Sequence, residues 1–376
     1  MRLAWNSLFF IWLILGSSSS FCQVVNTGFT DNFDSLEVGK VSVGGYVDTY
    51  YGFDFNQPKT SDRPYCVSSP RHNEININLV YADIQYRNER IRARLVPGFG
   101  TYINSNYASE KGSLKNIVEA NIGVKLLADQ EIWIDAGVFG APYTYESAIS
   151  KDHLMYTRSL ASEYSPYFLA GVKATIPLHP KLNAYLYLLN GWQQISDVNN
   201  PLSVGTQLEY RPNKKMLLNW NTYLGDENSS ATPDFGIRYF SDIYLIYNPE
   251  GKFSLTSCIY GGLQNMRPGI SDGAGRYWWQ ANVAGRVVIN SRWSASGRIE
   301  YFHDPASIQV LPVTAVSGFR CGSAGICANL KITKNAVFRI EDRLYVSGQN
   351  LFTDHQETPT NMSNLLITSL TVWFNK

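Results

Sequence analysis

Apolar and polar residues alternate along this chain with a period of two. Between residues 115 and 140, Val118, Ala120, Ile122, Val124 and Leu126 take every second position, with Glu119, Asn121, Gly123 and Lys125 between them. After a short polar link, Ile132, Ile134, Ala136 and Val138 resume the alternation against Asp135 and Gly137. Successive side chains of a strand point to opposite faces, whereas a helix needs apolar spacings of three and four. The stretch therefore predicts a β-hairpin with one apolar face and one polar face.

The same pattern recurs. Val43, Val47, Tyr51, Phe53 and Phe55 oppose Ser42, Tyr46, Asp48, Asp54 and Asn56, and Ile91, Ala93 and Leu95 oppose Arg90, Arg92 and Arg94. A strand begins near residue 71, and its phase slips near Val80, which predicts a bulge. Further strands are predicted at 167–178, 181–189, 203–211, 216–223, 235–247, 253–263, 277–289, 293–302, 324–333, 336–346 and 366–375. Together they make roughly sixteen, each near the ~9–11 residues of a tilted membrane strand. Tight links at 87–89, 127–130, 179–180, 212–215, 248–252, 290–292 and 334–335 alternate with longer loops rich in Ser, Asn, Gly and Pro. A transmembrane barrel with short periplasmic turns and long extracellular loops requires that asymmetry; a soluble sandwich or propeller does not. The expected fold is an all-β, antiparallel, up-and-down transmembrane barrel over residues 41–376.

The N-terminus agrees. Arg2, the apolar run at residues 8–16 and the small residues before Gln23 read as a secretory signal peptide over residues 1–22, followed by a polar lead-in over 23–40. The rival reading, lipidation of Cys22, is disfavoured by the bulky Phe21 beside it. The net charge of +1 gives no reason to expect a nucleic-acid partner. Aromatic residues make up 14% of the chain and charged residues only 17%, which suits a barrel in lipid. Cys66, Cys258, Cys321 and Cys327 remain after cleavage; Cys321 and Cys327 on one extended strand would lie ~20 Å apart, and no spacing suggests zinc. All four read as loop cysteines, unpaired or opportunistically paired.

In such a barrel the apolar face meets lipid and the polar face lines the lumen. The expected pore-lining residues are Glu74, Arg90, Arg92, Arg94, Glu119, Lys125, Arg286, Arg298, Arg339, Glu341 and Arg343, with Asp135 and Glu300 on the same side. Tyr50, Tyr102, Trp133, Trp192, Trp278, Trp279 and Trp373 lie near strand ends and are expected at the lipid headgroups. The final strand puts Leu366, Thr368, Leu370, Val372 and Phe374 on one face, a terminal outward aromatic.

Several stretches resemble the OmpL-like β-barrel porin type 2 family of Gram-negative bacteria. They are Gly45-Tyr46-Val47-Asp48 with Tyr51, Arg71-His72-Asn73-Glu74, Gly100-Thr101-Tyr102 with Asn104, and Asn116-Ile117-Val118-Glu119-Ala120-Asn121. Asp135-Ala136-Gly137, Glu146-Ser147-Ala148-Ile149, Thr157-Arg158-Ser159 and Leu189-Asn190-Gly191-Trp192-Gln193 continue the likeness. The resemblance implies an outer-membrane porin and specifies no substrate.

About sixteen strands leave room for an aqueous channel, so passive diffusion of small hydrophilic solutes or ions is the expected function. An adhesion or structural barrel presenting its loops is the alternative. The His residues show no spacing to a nucleophile, so no enzyme is expected, and no cofactor or metal is implied. The partners expected are outer-membrane lipid and small solutes or ions, with a homo-oligomer left open. The arginine faces read either as selectors of ion sign, with a slight anion preference, or as wall braces paired with carboxylates. Residues 140–166 form the longest connection and carry Tyr143, Tyr145, Ile149, Leu154, Met155, Tyr156, Leu160 and Tyr164, too apolar for disorder. That loop is expected to fold into the lumen and narrow it, with Glu146, Asp152 and Arg158 facing the opposing arginines; an ordered cap over the mouth is the other reading.

Overall fold

The computed structural model describes residues 39–267 and 275–375; the expected signal peptide and nearly all of the lead-in lie outside the described residues. Sixteen strands close into one antiparallel barrel. They are β1 (Lys40–Asp54), β2 (Ile75–Arg87), β3 (Ile91–Phe99), β4 (Ile117–Leu127), β5 (Gln130–Gly140), β6 (Phe168–His179), β7 (Leu182–Leu189) and β8 (Ser203–Asn213). There follow β9 (Met216–Asp226), β10 (Phe235–Tyr247), β11 (Phe253–Met266), β12 (Arg276–Val288), β13 (Trp293–Asp304), β14 (Phe319–Thr333), β15 (Ala336–Val346) and β18 (Met362–Asn375). The two-residue strands β16 (Phe352–Thr353) and β17 (Pro359–Thr360) make a small ribbon outside the wall. Each wall strand pairs with the next wall strand along the chain, β15 with β18 included, and β1 closes on β18 from Asp54↔Leu365 to Gly44↔Asn375.

The closing seam explains a glycine. A Cβ at Gly45 would lie 2.3 Å from the Phe374 ring, so the terminal aromatic beds onto bare backbone. The slip expected near Val80 is a bulge at Asn78, where Asp48 pairs with Leu79 and Thr49 with Ile77. The extra residue is used: the Asn78 amide donates to Asp48 at 2.9 Å, and its Oδ1 accepts the Ser69 N–H at 2.7 Å.

Burial runs opposite to that of a soluble protein. Ile326 is 70% exposed and Val41 62%, while Asp135 and Glu341 are fully buried. An apolar exterior around a charged interior suits a barrel immersed in hydrocarbon, where every backbone group must be paired within the wall.

Two expectations are corrected. Tyr50, Trp133 and Trp278 point inward, and Tyr102 lies in α1 (Thr101–Asn106), all four buried rather than set at the headgroups. Trp192 and Trp373 are half-buried among interior side chains; of the seven only Trp279 faces outward. Strand parity decides this, because the neighbours Trp278 and Trp279 must take opposite faces. Cys258, Cys321 and Cys327 are buried strand residues and only Cys66 lies in a loop; all four are free thiols.

Candidate functional site in the bore

The connection between β5 and β6 turns inward and spans the bore. Irregular backbone at membrane depth must find its hydrogen-bond partners in protein. Here the wall supplies them. On one side, Asp242 of β10 accepts the Thr144 N–H at 2.6 Å, and Asn221 of β9 donates to the Pro142 carbonyl at 2.9 Å. Tyr145 donates to Asn282 of β12 at 2.6 Å. Opposite, the Tyr46 hydroxyl of β1 accepts the Ser150 N–H at 2.9 Å, and Arg339 of β15 donates to the Ser150 carbonyl at 2.6 Å.

The central tie lies between β13 and β15. Glu341 accepts the N–H groups of Tyr156 at 2.7 Å and Thr157 at 3.0 Å. Glu300 accepts the Leu160 N–H at 2.6 Å and pairs with Arg343. Arg298 donates to the Thr157 carbonyl at 2.6 Å, and Arg343 to the Arg158 carbonyl at 2.7 Å. Wall carboxylates thus hold loop donors while wall guanidiniums hold loop acceptors. Such charge-assisted bonds between fully buried groups fix the segment firmly.

The loop also braces itself. Ser159 caps the short helix α2 (Leu160–Glu163), and Glu146 accepts the Ser159 N–H at 2.6 Å and pairs with Arg298 at 3.3 Å. Arg158 turns back onto its own loop, donating to the carbonyls of Ser147, Ala148 and Tyr156. Burial drives the His153 imidazole well below its usual range, and the cations Arg158, Arg339 and Lys151 act in the same direction. Glu163 accepts the N–H groups of Val67 at 2.6 Å and Ser68 at 3.3 Å; burial pushes its carboxyl up to about 7.

A second charge cluster occupies the wall of β2 to β6. Arg92 forms a buried pair with Asp135, with Lys173 3.9 Å from the same carboxylate. Arg94 reaches Asp83 and Glu119, each at 2.9 Å. The Arg92 guanidinium also lies 4.4 Å from the centre of the Trp133 ring, so the tryptophan that parity turns inward meets a cation there. Lys125 pairs with Glu131 at 2.5 Å, and Arg286 donates to Ser254 at 3.1 Å.

Arg92, Arg94, Glu119, Lys125, Arg286, Arg298, Arg339, Glu341 and Arg343 therefore all lie on the inner wall, but their charged ends are engaged by partners rather than bare to a channel. Glu74 is not a wall residue. It precedes β2 and pairs with Arg71 at 2.7 Å, because the strand starts only after the loop's Arg71-Glu74 clasp. Arg90 belongs to the tight turn before β3 and is exposed, one residue short of the wall. Of the three loop residues expected to face arginines, only Glu146 does; Asp152 pairs with its neighbour Lys151 at 2.6 Å, and Arg158 caps loop carbonyls. Asp242, Lys173, Asp83 and Asn282 also belong to the inner wall, and strand parity alone places them there. The partnership of Tyr46 with Ser150, across 104 residues of chain, had no sequence signal.

At the outer mouth, the Tyr65 hydroxyl donates to the Leu351 carbonyl at 2.5 Å and accepts the Val313 N–H at 3.0 Å. Its ring packs on Phe319 and Phe352, so three outer loops meet at one side chain. Among the described residues no group of His, Cys, Asp or Glu is arranged to hold a metal ion.

Comparison with known proteins adds to this geometry. A sequence family described as "Putative beta-barrel porin-2, OmpL-like" matches residues 40–374. No curated protein sequence matches. Among solved structures, OmpF of Salmonella typhi, in complex with daunomycin, superposes with a TM-score of 0.60 at 10% identity, covering 89% of this chain and 98% of that one. OmpT, an outer membrane protein of Vibrio cholerae, gives 0.57 at 10% identity, with coverages of 91% and 99%. An anion-selective porin from Comamonas acidovorans gives 0.57 at 8% identity, with coverages of 89% and 100%. These likenesses are of fold.

Proposed function

The chain belongs to the porin-2, OmpL-like family of outer-membrane barrels, and from that premise we propose that it is a porin passing ions and small hydrophilic solutes by passive diffusion. The observation that carries this reading is the loop pinned to opposite sides of the inner wall, which sets a size-limiting segment inside a bore of sixteen strands. Residues 141–167 are the constriction in this reading, and a segment held across the bore restricts passage to small species.

The wall charges argue for weak ion selectivity. At the central tie, Arg298, Arg339 and Arg343 face Glu146, Glu300 and Glu341. On the other side, Arg92 and Lys173 exceed Asp135 by one charge, and Asp83 with Glu119 exceed Arg94 by one. The balance offsets the slight anion preference expected from the strand faces alone. Planar-bilayer recording of the purified chain tests the proposal: discrete ohmic steps with a reversal potential near zero in a salt gradient are expected. Correctly folded protein that gives no conductance would refute it.

A specific observation favours the second reading, a barrel that presents its loops. The outer loops interlock at Tyr65, and the bore at mid-depth is lined by buried side chains. The reading takes the loops as a rigid binding face. The same recording separates the two.

A further inference from the structure

Asp342 stands near the middle of β15, between Glu341 and Arg343, which both point into the bore. Its cross-strand partners are Ile326 of β14 and Leu366 of β18, both exposed on the outer wall. The carboxyl therefore faces hydrocarbon. Among the described residues it has neither a hydrogen bond nor an ion pair. Away from the strand ends, no other Asp, Glu, Lys, Arg or His among the described residues faces outward. His303 and Arg320 do so only where β13 and β14 meet the long outer loops. A lone charge toward lipid destabilises a barrel, and one that persists in a membrane protein marks a function by default.

A second observation lies in the same cross-strand row. Gly285 of β12 pairs with Gly297 of β13, which pairs with Ile326, which pairs with Asp342. A Cβ at Gly297 would meet nothing nearer than 3.6 Å, and at Gly285 nothing nearer than 3.7 Å. Neither glycine has a positive φ. Unlike Gly45, then, they are required by nothing among the described residues. Ala295, Ala324 and Ala328 extend the low ground, and Ile299 and Ile326 rise beside it, 62% and 70% exposed. Interior strand glycines weaken a sheet and mark close approach of another backbone, and small residues are how membrane segments pack together.

We propose that this patch docks a membrane-embedded segment of a different protein that presents a lysine or arginine to Asp342 at mid-bilayer depth. Charge complementarity selects the partner. A second copy of this chain does not satisfy it, because copies related about an axis normal to the membrane meet at equal depth. Among the described residues the outer wall of a copy holds no cation at the depth of Asp342, and face-to-face packing would bring two carboxylates together.

The test places a photo-crosslinking amino acid at position 324 of the full chain in its native outer membrane. One discrete adduct with another protein is expected. Its yield should fall about tenfold in Asp342→Lys and persist in Asp342→Glu, since one uncompensated charge carries the contact. Exchanging the partner's cation for glutamate should restore the adduct to Asp342→Lys. Adducts with lipid alone, adducts with a second copy, or an adduct indifferent to Asp342→Lys would overturn the proposal. Heat-modifiable migration on gels checks that each variant is folded. A second measurement needs no partner: in vesicles of the purified chain, Asp342→Leu should raise the urea midpoint of unfolding. An unchanged or lower midpoint would mean that the carboxyl is satisfied within the barrel, and would equally overturn it.

Discussion

Glu341 points into the bore from β15 and spends its oxygens on the loop backbone, on Thr157 and within 3.9 Å of Arg298. Removing it leaves two buried N–H donors and the Thr157 hydroxyl without their acceptor and takes one of the three carboxylates from around Arg298. Glu341→Ala should cost about 3–5 kcal/mol, as breaking one side of a buried ion pair does, measured by urea unfolding in vesicles. Glu341→Gln keeps the shape and one acceptor and should cost clearly less. Glu163 makes the opposite case. Burial raises its carboxyl to about 7, so the folded chain holds a proton that the unfolded chain releases at lower pH. The stabilisation this provides is fully present below the ordinary carboxylate range and is lost as pH rises through about 7. The side chain is only partly buried, so the effect is on the order of 2 kcal/mol. Glu163→Gln should flatten the stability profile between pH 5 and 8; a profile as steep as wild type would assign the dependence to another group.

At the scale of elements, β13, β15 and the loop at residues 141–167 form one unit. The strands place Arg298, Glu300, Arg339, Glu341 and Arg343 by parity, and the loop supplies the backbone groups that hydrogen-bond to them. Replacing residues 145–163 by a short Gly/Ser linker should raise single-channel conductance severalfold, since the segment spans the bore. It should also lower stability, because wall charges lose their partners. Unchanged conductance in a correctly inserted barrel would remove the constriction role. The anchoring is to backbone as much as to side chains, so single substitutions on the loop such as Asp152→Asn should have little effect beside that deletion.

For the whole molecule, the alternation of tight turns and long loops fixes an orientation in the outer membrane. Epitope tags in the connections between β1 and β2 or between β9 and β10 should be reached by antibody on intact cells. A tag between β8 and β9 should be reached only after permeabilisation. The reverse pattern would invert the barrel. The meeting of three outer loops at Tyr65 adds that a tag beside residue 65 should disturb the mouth more than one beside residue 59, where the ion pair with Glu357 is exposed.

The number and faces of the strands can be read from the chain alone. Period-two alternation is a local property, and each residue's side of the wall follows from counting. Thus Arg92 and Glu341 could be sent inward from the sequence, and Asp342 outward, once the phase of its strand was known. The sequence also marks residues 140–166 as too apolar to be idle. What those inward charges do is set by the packed fold. Whether Arg298 lines a channel or grips the Thr157 carbonyl depends on where a loop residue 141 positions away comes to rest, and no local pattern encodes that distance. Glu74 and Arg90 show the same limit at strand ends: alternation runs on past the last ladder pair, and only hydrogen bonding with the neighbouring strand says where the wall stops.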